Sequence, residues 1–86
     1  MSIKVQIDSA LLHLTNGNEV VEVKGKTVGQ CLNDLRVRFP DLGSALFQQD
    51  QVWSDIGIFL NDESAYLSQL VEEGDKLAIL MPLGGG

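Results

Sequence analysis

Leu83-Gly84-Gly85-Gly86 follows directly on an apolar run, Lys76-Leu77-Ala78-Ile79-Leu80-Met81-Pro82, and is the stretch of this sequence best suited to chemistry. Glycine has no Cβ, so such a run can extend and pass where any side chain would collide. At about 3.3 Å per extended residue, the segment after Pro82 reaches roughly 13 Å. The group carried at the end of that reach is the carboxylate of Gly86. The expectation is a tail that delivers its own end into a partner's active site. Two plainer readings stay open on these residues alone, a frayed chain end or a linker left by cloning.

The other reactive residue types are scarce. Cys31 is the single cysteine and His13 the single histidine. That excludes an intrachain disulfide and a thiolate or imidazole metal cluster. A Cys–His nucleophile would also need a third, orienting group. Cys31 falls on the apolar stripe of a predicted helix and reads as core. His13, in the turn region Leu12 to Gly17, reads as solvated. No internal catalytic constellation is left, so the chain is expected not to be an enzyme in its own right and to hold no metal.

Composition narrows the partners. Six basic against twelve acidic residues give a net charge of −6, which argues against nucleic acid, whose phosphates need a basic footprint. The acidic balance permits a partner with a basic docking surface and also serves solubility. With 86 residues, 44% of them hydrophobic, the chain is expected to form one soluble domain over residues 1–82, followed by a flexible tail over 83–86. No apolar stretch approaches about 18 residues, so no membrane span is expected. The N-terminus lacks the apolar block of a signal peptide, and the expectation is a cytoplasmic protein, monomeric when free.

The elements that must position the tail are legible in order. Ile3, Val5 and Ile7 alternate with Lys4, Gln6 and Asp8 as a half-buried strand does. Asn16-Gly17-Asn18 is a turn signal, and Glu19 to Lys24 reads as the returning strand. Thr27 with Gln30 matches a capping box. Val28, Cys31, Leu32, Leu35 and Phe39 then follow at helical spacing, and Pro40 ends the helix. Asp41 to Ser54 reads as irregular or as holding a short helical turn around Ala45-Leu46-Phe47, and Trp53 is expected to pack over one end of the core. Asp55 to Asn61 is a third strand, Asn61-Asp62-Glu63 a tight turn, and Ala65-Tyr66-Leu67 a very short strand. Gly74-Asp75 then launches the last strand, Lys76 to Met81.

One main helix covers one face of a sheet and leaves the other open. With the first and last strands parallel at the centre, the arrangement is an α+β, β-grasp (ubiquitin-like) fold with a mixed sheet of four to five strands. Alternation then sends Ile56, Ile58, Leu60, Leu77, Ile79 and Met81 to the helix. It sends Phe59 and Leu80 outward, as a docking patch beside the departing tail. The loop from Asp41 to Ser54 folded over them, or a register wrong by one residue, would bury both.

The ending Gly-Asp-x-Leu-x-Ile-Leu-x-Pro-Leu-Gly-Gly, on this order of elements, resembles the ubiquitin-like sulfur carriers. These include the molybdopterin synthase small subunit and the sulfur carriers of thiamine and cysteine biosynthesis. The element order matches along the whole chain, and the motifs concentrate in Ile58 to Gly86. The resemblance implies that Gly85 and Gly86 carry the chemistry and that Phe59, Leu80, Pro82, Leu83 and Gly84 meet partners. It implies an adenylating enzyme of the ubiquitin-activating type, which uses ATP and magnesium, and a client enzyme that accepts sulfur. The chain itself would bind no cofactor. The family usually ends in two glycines and this chain has three, so the reactive carboxylate is that of Gly86, or of Gly85 if one residue is trimmed. Phe59-Leu60-Asn61-Asp62-Glu63 leans towards the cysteine type, and Ile79 to Pro82 equally suits the molybdopterin type. A ubiquitin-like modifier joined to target lysines needs the same terminus, and a plain β-grasp binding module needs only the open sheet.

Overall fold

The computed structural model describes residues 2–48, 51–52 and 56–81. Strand β1 (Ser2–Ile7) is followed by a 3-10 helix (Ser9–Leu14), strand β2 (Val20–Lys24), helix α1 (Val28–Arg38) and helix α2 (Pro40–Leu46). Short strands β3 (Phe47–Gln48) and β4 (Gln51–Val52), then β5 (Gly57–Leu60), β6 (Glu63–Ser64) and β7 (Lys76–Leu80), complete the order. Five strands form one mixed sheet in the order β2-β1-β7-β5-β6, with β3 and β4 paired apart from it. The first and last strands lie parallel at the centre, and every other pairing is antiparallel. This is the expected β-grasp arrangement.

Register turns the sequence alternation into a core. Val21, Val5, Leu77 and Leu60 stand opposite one another across four strands, and Ile7, Ile79 and Ile58 form the next row. All seven are buried, and they share one cluster with Val28, Cys31, Leu32 and Leu35 of α1. Each such side chain contributes roughly 1.5–3 kcal/mol through burial. Cys31 is fully buried, and desolvation raises the pKa of its thiol, as suits a packing residue.

The amides of the first three residues of α1, which have no partner within the helix, are all matched. Thr27 Oγ1 accepts from the Gln30 amide at 3.1 Å, and Gln30 Oε1 accepts from the Lys26 amide at 2.8 Å. The latter is one residue earlier than a strict capping box requires. The Val28 and Gly29 amides donate to the carbonyls of Gln69 and Leu67, so the loop before β7 is stitched to the start of the helix.

Two expectations are corrected. The short strand lies at Glu63–Ser64, not at Ala65-Tyr66-Leu67, because Asn61 and Asp62 both adopt positive φ and form a two-residue hairpin turn. Pairing therefore resumes at Glu63, and Tyr66 is left 79% exposed. Of the two readings of the segment after Pro40, the helical one holds but starts earlier and runs longer: Pro40 ends α1 and also opens α2 as its first residue, over Pro40–Leu46. The expected packing of Trp53 lies outside the described residues.

Helix α2 crosses α1 at Gly43, where an added Cβ would sit 2.6 Å from Arg36 Cβ and 3.3 Å from Arg36 Cα. Neither atom can swing away. Gly43→Ala gains about 1 kcal/mol in helix propensity but overpacks this crossing. The expected result is a net loss of about 1–2 kcal/mol in urea unfolding. A higher urea midpoint than wild type would show that the two helices are not held this closely.

Candidate functional site at the root of the tail

The site is built around the last strand. Gly74, at φ +92°, makes the turn before it. Asp75 fixes that turn, its Oδ2 accepting from the Glu72 amide at 2.7 Å and its Oδ1 from Asn61 Nδ2 at 3.0 Å. Both bonds favour the carboxylate and hold its pKa below the ordinary value, the Asn61 bond most. Asn61 Oδ1 in turn accepts from the Lys76 amide at 3.0 Å. The Gly-Asp pair and the Asn at the β5–β6 turn thus form one clasp that sets where β7 begins.

Four residues on, Leu80 faces away from the helix and is 46% exposed, as alternation requires. Gly57 stands opposite it, and Phe59 stands opposite Ala78 on the same face. Phe59 is half-buried rather than fully exposed. Its Cε2 lies 2.9 Å from where a Cβ on Gly57 would be, so the ring occupies the space that glycine leaves, beside Leu80. Val20, on the edge strand of the same face, is also exposed. Together these residues make an apolar surface at the end of β7 from which the tail continues. Pro82, Leu83, Gly84, Gly85 and Gly86 lie outside the described residues, and so does the expected mobility of residues 83–86.

A hollow of about 360 Å³ adjoins Leu80 and is lined by Asp8, Leu12, Glu19 and Val20 among others. A larger one, about 530 Å³, lies at the other end of β7, against Lys4, Glu22, Glu73 and Lys76. Asp8 is the residue that the sequence reading missed. Its Oδ1 accepts from the Ala10 amide at 3.1 Å and caps the 3-10 helix, while its Oδ2 accepts from the Met81 amide at 2.7 Å. These bonds, that to Met81 first, hold the Asp8 carboxyl below its ordinary pKa. The signal present in the sequence is an aspartate just after a strand and ahead of Ser9-Ala10, a helix-cap pattern. Nothing local points to Met81.

His13 is exposed, as expected. Among the described residues no group of three or more His, Cys, Asp or Glu is placed to hold a metal ion, and no helix is long and apolar enough to cross a membrane.

Residues 8–86 match the ThiS family. The chain belongs to that family. The molybdopterin synthase sulfur carrier subunit of Arabidopsis thaliana is 36% identical over 62 residues, which cover 72% of this chain and 57% of the plant protein. The small archaeal modifier protein 1 of Haloferax volcanii is 37% identical over 68 residues, covering 77% of this chain and 78% of the archaeal one. A crystal structure of SAMP1 from the same organism covers all of both chains with a TM-score of 0.91 at 30% identity. The Amycolatopsis orientalis BexX/CysO complex contributes a chain at TM-score 0.88 and 31% identity, covering 98% of this chain and 99% of that one. The ThiS-family fold of this chain is the ubiquitin-like β-grasp, and the two relatives named first are a molybdopterin synthase sulfur carrier subunit and a small archaeal modifier protein.

Proposed function

We propose that this chain is a sulfur carrier that works through the carboxylate of Gly86. The observation that carries the reading is the ThiS-family match, which runs on to residue 86. The exposed Leu80 beside the start of the tail supports it. A carboxylate is a poor electrophile because its charge is shared by both oxygens. A partner of the ubiquitin-activating type, using ATP and magnesium, joins one of those oxygens to AMP and releases pyrophosphate. Hydrosulfide, from a sulfide-level sulfur source, then attacks the acyl carbon, AMP leaves with the oxygen, and a thiocarboxylate remains at Gly86. A client enzyme of molybdopterin, cysteine or thiamine biosynthesis takes the sulfur, and water supplies the oxygen that restores the carboxylate. The chain supplies the electrophilic end, a path free of side chains and a docking surface, while the partners supply catalysis. The BexX/CysO complex supports a client that binds a chain of this fold.

The test is intact mass after incubation with candidate adenylating enzymes, ATP, magnesium and a sulfur source. The expected result is a gain equal to one sulfur replacing one oxygen, located at the last residue. No gain with any such enzyme would overturn the reading.

The similarity to small archaeal modifier protein 1 favours a second reading, in which the same activated terminus forms an isopeptide bond with a target lysine. That reading expects higher-mass conjugates in cells that vanish when Gly85 and Gly86 are deleted.

A further inference from the structure

Strand β1 ends at Ile7, which stands opposite Ile79 of β7 in the parallel ladder. Beyond that point β1 turns into the 3-10 helix and offers β7 no further strand backbone. The Met81 amide would then lose its ladder partner at the place where the tail begins. Asp8 Oδ2 takes the place of the missing carbonyl, at 2.7 Å. The next residue, Pro82, has no N–H to donate. Met81 is thus the last residue before Pro82 able to donate a ladder hydrogen bond, and a side chain from the opposite end of the sequence receives it. The second oxygen of Asp8 is held by the Ala10 amide, so the carboxylate is fixed at both ends and can act as a rigid tether. The Met81 side chain packs against the core cluster and holds the same residue from its other side.

We propose that Asp8 is a positioning residue for the tail chemistry: by accepting the Met81 amide it fixes the point and direction from which the chain leaves the sheet, and so how Gly86 meets the adenylating partner. The inference rests on the sulfur-carrier reading. Docking through Leu80 and aiming through Asp8 are separate tasks. An error in aim near a reacting carboxylate costs far more in turnover than in binding, because about 1 Å of misplacement can lower a rate by about 10²-fold. The depressed pKa of Asp8 agrees with a carboxylate that stays ionised and keeps accepting from both amides.

The experiment compares wild type, Asp8→Asn and Asp8→Ala in steady-state adenylation, at a temperature where all three are folded, and follows hydrogen exchange at the Met81 amide. Asp8→Ala should exchange faster at Met81 and lose about 10-fold or more in kcat, with KM within about 2-fold of wild type. Asp8→Asn keeps one carbonyl oxygen and should recover part of both losses. A merely structural role would lower the melting temperature and leave kcat unchanged. If wild type is adenylated and Asp8→Ala keeps its kcat, the positioning role is overturned alone. Unchanged Met81 exchange in Asp8→Ala would overturn it too. If no adenylating enzyme activates wild type, the sulfur-carrier reading falls and this inference falls with it.

Discussion

Adding one alanine after Gly86 should lower adenylation by at least about 10²-fold while leaving affinity for the adenylating partner within about 2-fold. The contrast follows from the division of labour in the fold. In the proposed function affinity comes from the surface at the end of β7, away from the added residue. The proposed adenylation depends on where a carboxylate oxygen sits relative to the α-phosphate of ATP, and an added residue moves that oxygen by up to about 3.5 Å. It also puts a side chain where glycines leave none. Shortening the chain to Gly85 separates the two readings of the triple glycine. If Gly86 is the reacting residue, the shortened chain should be as poor a substrate as the extended one. If it reacts as fast as the full chain, the working carboxylate is that of Gly85. Extended, shortened and original chains that all react alike would remove the terminus from the mechanism. Single-turnover adenylation, read as pyrophosphate release, distinguishes these cases.

The parts of this molecule that were legible in the sequence are those governed by short periods and local chemistry. Ile3-Lys4-Val5-Gln6-Ile7 can bury only one face, and the structure buries that face. Thr27 and Gln30 announce the start of α1 because the capping bonds join residues only a few positions apart. Leu80 could be assigned outward because Leu77 and Ile79 fix the phase of a period-2 pattern. What was hidden depends on partners distant in sequence or on a residue with two roles. Pro40 carries the same signal whether it stops one helix or starts the next, and here it does both. Ala65-Tyr66-Leu67 is apolar enough for a strand, yet the positive φ of Asn61 and Asp62 uses up the pairing register two residues earlier. Phe59 was expected to stand free, but its ring lies over Gly57 because that residue has no Cβ. Asp8 reads as one more outward polar residue of a strand. Its bond to the Met81 amide spans nearly the whole chain, and no window of neighbouring residues contains it.

Replacing Leu80 by glutamine should weaken binding to the adenylating partner by about 3- to 10-fold, the effect of withholding the exposed half of one leucine, worth about 0.7–1.5 kcal/mol, from an interface. Glutamine is chosen over glutamate because Asp8 and Glu19 line the hollow beside Leu80, and a third carboxylate there would mix repulsion with lost burial. Since Leu80 is nearly half exposed in the free domain, urea unfolding of Leu80→Gln should differ from wild type by no more than about 0.5 kcal/mol. Its neighbour supplies the control. Ile79 is fully buried between Ile7 and Ile58, so Ile79→Ala should cost about 2–5 kcal/mol, a large part of what a domain of this size has. Adjacent residues on one strand would then have opposite signatures, one felt by the partner and the other by the fold. Equal destabilisation by both would mean that Leu80 is covered within the domain and that the open face is not the docking surface. A stable Leu80→Gln that binds as wild type does would move docking to another exposed apolar group, Tyr66, Leu67 and Leu70 of the loop stitched to α1. In that case Asp8 and the end of β7 would aim a tail whose partner is held from elsewhere on the domain.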